Sequence, residues 1–284
     1  QNMDTTFSYD EVPYPSFTFP QTHPDRLATI AAFYGLDTAP PEKCRVLELG
    51  CGDGTNLISM AYALPESTFV GIDLSDIHIN DAKHAAVTLG VTNVNFRKED
   101  VVELETGELG EFDFIIAHGL YSWVPDFVRD SILAIYKDCL APKGIGYISY
   151  NGYPGCHIRD MTRGMMRYHA KSTIDPLEKV EQGKSILRFV AEAAESDSLY
   201  QTMLKLELGQ IEERSVQNVF HDDFADINQP FYFHEFVDQI SENGLQYVAE
   251  ADPISLNTND LSAEAREMFG ALGDELVRLE QYID

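Results

Sequence analysis

Short apolar runs alternate with helix-forming segments along the first half of the chain, and this alternation strongly restricts the possible folds. The sequence predicts five strands, at residues 44–49, 67–73, 93–100, 111–119 and 144–150. Helices are predicted between them at residues 55–64, 76–89 and 124–140. Strands separated by helices pair in parallel, because the helix carries the chain back across the sheet. We therefore predict an α/β fold with a doubly wound, mostly parallel sheet.

The second half of the chain begins with helical patterns only. Apolar residues recur at helical spacing through residues 157–227, after which the sequence predicts a helix at 232–243, a sixth strand at 245–252 and a last helix at 263–282. An insertion after a parallel strand lies over the carboxyl ends of the sheet, so we expect a cap. The predicted parts are an N-terminal arm and helix (4–40), the α/β core (41–156), the helical insertion or cap (157–227) and the end of the core with a C-terminal helix (228–284).

The arm is rich in proline and aromatic residues. Prolines at positions 13, 15, 20 and 24 exclude a helix over residues 4–25, and a short helix is predicted at residues 26–34. Four aromatic side chains could hold the arm on another surface: Tyr9, Tyr14, Phe17 and Phe19.

The charge is strongly acidic, with 47 acidic against 20 basic side chains and a net charge of -27. A protein that coats nucleic acid or an anionic membrane needs clustered Lys and Arg, so both classes are excluded. An acidic solvated surface or a surface for basic protein substrates remains. No run of about 18 apolar residues predicts a membrane span. The four cysteines lack metal-site spacing, so we expect reduced thiols in a cytoplasmic protein without a metal.

A glycine-rich turn joins the first predicted strand to its helix, in the stretch VLELGCGDGTN at 46–56. Its glycines are Gly50, Gly52 and Gly54. Glycine lets the backbone turn tightly and approach a ligand closely. The dinucleotide fingerprint G-x-G-x-x-G is matched only in part. Glu48 and Asp53 would repel a pyrophosphate, and they suit a ligand that carries a cationic amino acid, ribose and adenine.

Acids also follow the second and third predicted strands. Asp73 lies where an acid can accept both hydroxyls of a ribose. Asp100, between Glu99 and Val101, lies where a carboxylate can take the amino group of adenine. Each acid alone fits a cap or a turn, but acids after three successive strands at one edge favour a binding site.

On these residues the chain resembles the class I S-adenosylmethionine-dependent methyltransferases, over about residues 40–155 and 231–252. Longer stretches are similar to bacterial methyltransferases that carry a methyltransferase regulatory domain: SYDEVPYPSFTFPQTHPDRL, LELGCGDGTNLISMAYALPES, HGLYSWVP, SYNGYPGCHIRDM and NQPFYFHEF. The resemblance implies S-adenosylmethionine as cofactor and S-adenosylhomocysteine as product. Some members of that group are protein-lysine methyltransferases acting on outer-membrane proteins. The resemblance leaves open whether the chain is a fragment of a longer protein.

The resemblance implies a cofactor site at the carboxyl edge of the sheet. The expected cofactor residues there are Glu48, Gly50, Cys51, Gly52, Asp53, Gly54, Asn56, Asp73, Leu74, Asp100 and Val101. His118, after strand four, is implied to lie beside the sulfonium or the adenosine. In the arm, Tyr14 and His23 are expected to fold over the cofactor as a lid, and a plain packing role for the arm is equally plausible.

The segments after strands four and five are expected nearest to the transferred methyl group. The candidates there are Tyr121, Trp123, Tyr150, Asn151, Tyr153 and His157. The aromatic rings could form a dry pocket that holds an amine by cation–π contact and favours a neutral lysine. Packing is the alternative for each ring. His157 could act as a general base or be structural, and Asn151 lies one strand too late for the asparagine motif of DNA amino-methyltransferases.

Four basic residues recur every four positions: Arg159, Arg163, Arg167 and Lys171. The first expectation for this stripe is pairing with acids of the same cap, followed by an acidic substrate patch, with nucleic acid third. Three functions remain open. These are methylation of a protein lysine, methylation of a small metabolite and a cofactor-binding regulatory module without catalysis. The oligomeric state is also open.

Overall fold

A computed structural model describes residues 16–193, 198–252, 262–272 and 275–283. The described residues form two compact units. One unit comprises residues 16–152 together with the described residues from 229 onward, and the other comprises the described part of 153–228. Tyr9 and Tyr14 lie outside the described residues.

The first unit contains a five-stranded parallel sheet, as the sequence predicts. Its strands are β1 (Arg45–Leu49), β2 (Thr68–Asp73), β3 (Val94–Lys98), β4 (Phe112–Ala117) and β5 (Leu140–Ile148), in the order β3-β2-β1-β4-β5. The register pairs Leu49 with Ile72 and Ala117 with Ile148, so the carboxyl ends of the strands meet at one edge.

Twelve α-helices accompany the sheet in the described part of the chain. Six of them come before β1, between the strands or directly after β5 in the chain: α1 (Pro24–Phe33), α2 (Thr55–Ala63), α3 (Asp76–Leu89), α4 (Thr106–Leu109), α5 (Asp126–Cys139) and α6 (Cys156–His169). The other six are α7 (Pro176–Ala193), α8 (Leu199–Glu213), α9 (Val216–Asp223), α10 (Phe233–Glu242), α11 (Ala263–Ala271) and α12 (Leu276–Ile283).

Local signals explain most of the helix ends. Ser75 begins α3, because its side chain accepts a hydrogen bond from the backbone N–H of His78, and Gly90 ends it in the left-handed region at φ 69°. Helix α1 begins at Pro24, two residues before the predicted start. Proline is excluded from a helix interior but is favoured in the first turn, where its missing N–H is not needed. For the same reason Pro20–Thr22 forms a 3₁₀ turn within the arm.

The sheet buries both of its faces. Val46 packs on one side with Phe69, Phe96 and the inner face of α2, whereas the neighbouring Leu47 packs on the other side with the inner face of α5. Side chains alternate across a strand, so successive residues of β1 enter different cores. Burial on both faces is typical of parallel sheets.

The second unit is helical in its described part. Helices α6, α7, α8 and α9 surround a small core of Met166, Val180, Leu187, Leu204 and Val219. That this unit caps the sheet stays a prediction.

Two expected elements are wrong. Residues 245–252 form no strand, although Leu245 and Tyr247 pack on the core as the alternating pattern requires. A strand also needs a ladder partner, and none of the described residues supplies one to this segment. The predicted helix over 263–282 is divided into α11 and α12, with α11 ending before Leu272 and Gly273 following in the sequence. Among the described residues, no helix is long and apolar enough to cross a membrane.

Candidate active site

The turn after β1 has glycine at three positions, where the backbone adopts a conformation that favours glycine. Gly50, Gly52 and Gly54 all lie in the left-handed region, at φ 70°, 53° and 75°. A Cβ on Gly54 would stand 2.5 Å from Cζ of Phe96 on β3, and a Cβ on Gly71 would stand 2.8 Å from Cδ1 of the same ring. A Cβ on Gly52 would meet nothing within 4 Å. The turn is therefore tightly packed where it faces Phe96 and has free space at Gly52. A ligand can approach the backbone there.

Asp73 connects this turn to the end of β2. Its Oδ2 accepts a hydrogen bond of 2.9 Å from the backbone N–H of Gly52, and its Oδ1 accepts one of 2.9 Å from Ser75. Burial acts to raise the pKa of Asp73, but hydrogen bonds from His78, Ser75 and Gly52 outweigh it, so the pKa is lowered. The ionised carboxylate keeps further lone pairs that can accept ribose hydroxyls.

Glu48 is buried beneath the turn with one carboxylate oxygen unpaired. Its Oε1 accepts a hydrogen bond of 2.7 Å from Nδ2 of Asn56, whereas Oε2 has no hydrogen-bond partner in the part of the chain that the structure describes. Burial, reinforced by the charge of Asp73 and opposed by the Asn56 hydrogen bond, raises the pKa of Glu48 to about 7. An unpaired buried polar atom is costly, and a ligand with a donor group would satisfy it.

Asn56 also binds the end of the arm. Its Oδ1 accepts a hydrogen bond of 2.9 Å from the backbone N–H of Phe19, and its Nδ2 donates one of 3.1 Å to Oγ1 of Thr22. Ser16 hydrogen bonds Asp53 on the glycine turn. Residues 16–22, which we call the clasp, are thus attached directly to the turn. His23 instead caps α1, since its Nδ1 accepts a hydrogen bond from the backbone N–H of Asp25.

The ends of β3 and β4 complete the edge. Asp100 is half-buried and closes a turn, because its Oδ1 accepts a hydrogen bond of 2.9 Å from the backbone N–H of Val102. Val101 packs against the core and Leu74 is exposed. His118 lies against the clasp, with its ring centroid 3.8 Å from that of Phe19. Burial lowers the pKa of His118 to about 4, so the imidazole is neutral near pH 7.

The residues of the first unit that are expected near the transferred methyl group take different positions. Tyr121 has no exposed surface, donates a hydrogen bond of 2.7 Å to Gln239 and packs on Phe231, and its place in the methyl-acceptor pocket stays a prediction. Tyr150 is half-buried and stacks on Phe236, with ring centroids 4.4 Å apart.

Trp123 and Asn151 are both half-buried. Trp123 ends a 3₁₀ turn, and the backbone N–H of Asn151 donates a hydrogen bond of 2.8 Å to Oγ of Ser122 in that same turn. The segments after β4 and β5 are therefore joined at this point, as the parallel order of the strands requires.

In the helical unit, Tyr153 and His157 stack with ring centroids 4.1 Å apart, and the phenol of Tyr153 donates a hydrogen bond of 2.9 Å to Asp160. His157 is exposed. His157 is thus accessible and Tyr153 is held by contacts within its own unit. The catalytic role of both side chains stays a prediction.

The arginine stripe pairs with acids of its own unit, as the first expectation stated. Arg159 bonds the fully buried Asp223 at 3.2 Å, and Arg167 bonds the exposed Asp226 at 2.9 Å. Arg163 donates to the backbone carbonyls of Asp222 and Ala225.

Neither Cys51 in the glycine turn nor Cys156 in the helical unit has an activated thiol. Cys51 is buried, and burial strongly raises the pKa of its thiol. Burial also raises the pKa of Cys156. Both stay neutral thiols near pH 7, which fits a packing role. The described residues contain no group of His, Cys, Asp and Glu that could hold a metal ion.

Several side chains at this edge were not expected from the sequence. Thr22, His78, Tyr147 and Ser149 join the network around Asn56, Asp73 and His118. None stands in a recognisable motif, and only the fold brings them together. Phe19 was expected as an anchor of the arm, but its contact with His118 has no sequence signal.

The parallel sheet, the glycine turn after β1 and the acid after β2 define a Rossmann-like methyltransferase fold. Residues 41–214 match a family described as a methyltransferase domain, and residues 215–284 match one described as a predicted methyltransferase regulatory domain. The chain belongs to the family of methyltransferases in which these two domains follow each other.

Relatives of this family come from Rickettsia. The uncharacterized proteins RP789 and RP028 of Rickettsia prowazekii (strain Madrid E) are 36% and 37% identical, over 97% and 82% of this chain and 50% and 93% of their own lengths. The structure of PKMT2 from Rickettsia typhi in complex with AdoHcy matches with 33% identity and a TM-score of 0.88, over 96% of this chain and 52% of that one. The chain therefore spans about half the length of RP789 and PKMT2.

Proposed function

We propose that this protein transfers a methyl group from S-adenosylmethionine to a lysine side chain of a protein substrate. The observation that carries the proposal is the likeness to PKMT2, whose structure contains AdoHcy, and it is joined by the sequence resemblance to a group that includes protein-lysine methyltransferases. That likeness covers 96% of the chain, so it includes the helical unit as well as the sheet. A shared cofactor domain alone would cover much less.

The cofactor residues of this proposal are those at the carboxyl edge of the sheet. The glycine turn would hold the amino-acid part, Asp73 the ribose hydroxyls and Asp100 the adenine amino group. The unpaired Oε2 of Glu48 fits a ligand that brings a hydrogen-bond donor. The clasp would cover the bound cofactor, because Phe19 packs on His118 at the same edge.

The bound cofactor would supply a methyl group on a sulfonium, which is already a good leaving group. The protein's task is then to align the acceptor and exclude water. A neutral His118 suits this site, because a charged imidazolium would repel both a sulfonium and a lysine ammonium. Half-buried rings such as Trp123 and Tyr150 favour the neutral amine by desolvating it.

A protein acceptor also suits the charge of the chain. A net charge of -27 attracts basic segments and speeds their association.

The test uses methyl-labelled S-adenosylmethionine and an extract of the protein's own host. After incubation, protein is separated from the small-molecule filtrate. Label in a protein band that yields methyl-lysine on hydrolysis supports the proposal. Label only in the filtrate would overturn it in favour of a metabolite acceptor. Absence of label in both fractions, with cofactor binding shown by calorimetry, would overturn it in favour of a regulatory module. The Asp73→Ala variant is the control for background label.

A further inference from the structure

Asn56, in the first turn of α2, is buried and joins the clasp to Glu48 through its side-chain amide. The backbone N–H of Phe19 can only donate, so the side-chain atom that it reaches at 2.9 Å is the amide oxygen Oδ1. The amide nitrogen Nδ2 can only donate, and it does so to Oγ1 of Thr22 at 3.1 Å and to Oε1 of Glu48 at 2.7 Å. Both donors of the amide are therefore engaged, one by the clasp and one by Glu48.

The hydroxyl of Thr22 has a fixed direction as well. Its Oγ1 lies 2.9 Å from the backbone carbonyl oxygen of Phe19, which can only accept, so the hydroxyl proton points there. The lone pairs of Oγ1 are then left for Nδ2 of Asn56. Thr22 is fully buried, so solvent offers the amide no substitute for this bond. Opening the clasp therefore breaks two of the three hydrogen bonds of Asn56.

Glu48 has an unused acceptor at the other end of this chain of hydrogen bonds. Its Oε2 is buried without a partner among the residues that the structure describes. Burial raises the pKa of Glu48 to about 7, so the free protein holds acid and carboxylate in comparable amounts at neutral pH. A ligand that donates to Oε2 favours the carboxylate. A carboxylate accepts more strongly than a neutral acid, so the bond from Asn56 to Oε1 becomes stronger, and the polarised amide holds Phe19 more firmly.

We propose that Asn56 is a positioning residue that couples ligand binding at Glu48 to closure of the clasp. A donor group on Oε2 tightens the clasp, and a closed clasp raises the affinity for the same ligand, because coupling between two sites is reciprocal. The identity of the ligand rests on the proposed function. The hydrogen bonds of Asn56 belong to the protein without its ligand.

The first test is a double-mutant cycle on the affinity for S-adenosylhomocysteine, measured by isothermal titration calorimetry at pH 7. Thr22→Val keeps the shape of the side chain and removes the acceptor for the Asn56 amide. Glu48→Gln keeps an acceptor for Asn56 and places an uncharged amide where Oε2 was. Thr22→Val should weaken binding about fivefold in the wild type, the size of one hydrogen bond, and less than about twofold in the Glu48→Gln background.

Thr29→Val is the matched control, because Thr29 is exposed on α1 and its hydroxyl bonds the carbonyl of Asp25 in the same helix. It should leave the affinity unchanged. The clasp also touches the site without Asn56, through Phe19 on His118 and Ser16 on Asp53. If only those contacts mattered, Thr22→Val would cost the same affinity in both backgrounds. That additive result would overturn the proposal.

The second test needs no ligand and measures hydrogen exchange across residues 16–22 by mass spectrometry. Asn56→Asp keeps an acceptor for Phe19 but loses both donors and sets its carboxylate against Glu48, so exchange should rise. Adding Glu48→Gln should bring exchange back towards the wild type, because the glutamine amide can donate to the new carboxylate. Exchange that stays as high in the double variant would overturn the link through Asn56. A wild type that binds no S-adenosylhomocysteine would instead contradict the proposed function, and the exchange test would still apply.

Discussion

Asp73 serves two purposes through the same two oxygens. It fixes the glycine turn by accepting hydrogen bonds from Gly52 and Ser75, and it is the proposed acceptor for ribose hydroxyls. Asp73→Ala should weaken binding of S-adenosylhomocysteine about 10- to 100-fold, since a buried hydrogen bond to a charged group contributes about 1–3 kcal/mol. Isothermal titration calorimetry measures the change.

Asp76→Ala is the matched control for this loss. Asp76 lies three residues further on, its side chain is 68% exposed, and it pairs with Lys98 on the surface. It should bind the cofactor like the wild type. Equal affinity in both variants would remove Asp73 from the site.

Glu48 makes the stability of the protein depend on pH. Its pKa is about 7 in the folded protein against an ordinary value of 4.5. Folding thus favours the protonated form, and the stabilisation is present below pH 4.5 and is lost as the pH rises through 7. The loss amounts to about 3 kcal/mol, taking about 1.4 kcal/mol for each pKa unit.

Glu48→Gln should remove this contribution, because the amide oxygen still accepts from Asn56 and cannot ionise. Urea unfolding at pH 5 and pH 8 should show a smaller difference between the two free energies in Glu48→Gln than in the wild type. The same difference in both proteins would contradict the raised pKa.

At the scale of elements, the clasp depends on Phe19. Its backbone is bound by Asn56 and its ring covers His118. Phe19→Ala should raise the dissociation rate of S-adenosylhomocysteine on the order of tenfold, because the ring's apolar contact is worth about 1.5–3 kcal/mol when fully buried. Stopped-flow displacement gives the rate. Phe17→Ala, in the same segment and 48% exposed, should leave it unchanged. Matching rates in the two variants would reduce the clasp to a packing element.

Helices α6 and α9 are joined by a buried ion-pair cluster. Asp223 is fully buried and bonds Arg159 at 3.2 Å and Arg214 at 2.7 Å. Asp223→Ala should destabilise the helical unit by about 1.5–3 kcal/mol, because two guanidinium groups lose their fully buried partner and keep only Asp222. Hydrogen exchange should rise across residues 156–223 but not in the sheet.

Asp226→Ala is the control for the cluster. Asp226 pairs with Arg167 but is 97% exposed, and exposed pairs contribute at most about 1 kcal/mol. Comparable protection of the helical unit in both variants would show that the buried pairs do not stabilise it.

The elements of the sheet were predictable because each depends on consecutive residues. The apolar run ending at Leu49 and the cap at Ser75 are local signals, and the strands and α3 follow them closely. The strand expected at 245–252 failed because alternation shows which side chains pack but not whether a ladder partner exists. The bonds from Phe19 to Asn56 join residues 37 positions apart, and no local pattern encodes them.

At the scale of the whole molecule, a net charge of -27 opposes the compact state. The melting temperature should therefore rise by a few degrees between about 0.01 M and 0.15 M NaCl, as the Debye length falls to about 8 Å. Differential scanning fluorimetry measures the shift. The double variant Glu103→Lys with Glu213→Lys exchanges two exposed acids for bases and should respond less to salt. A melting temperature that does not change with ionic strength would show that the acidic surface does not limit stability.

The ring of Phe96 fills the space that Gly54 and Gly71 leave beside it, and this sharing restricts how the family can evolve. A methyl group gained at either glycine collides with the ring, whereas a smaller side chain at 96 opens only a cavity. The cavity is the milder intermediate, so substitutions must accumulate in a set order, with the ring reduced first. Positions 71 and 96 should therefore change together among homologues, whereas the left-handed backbone keeps position 54 a glycine.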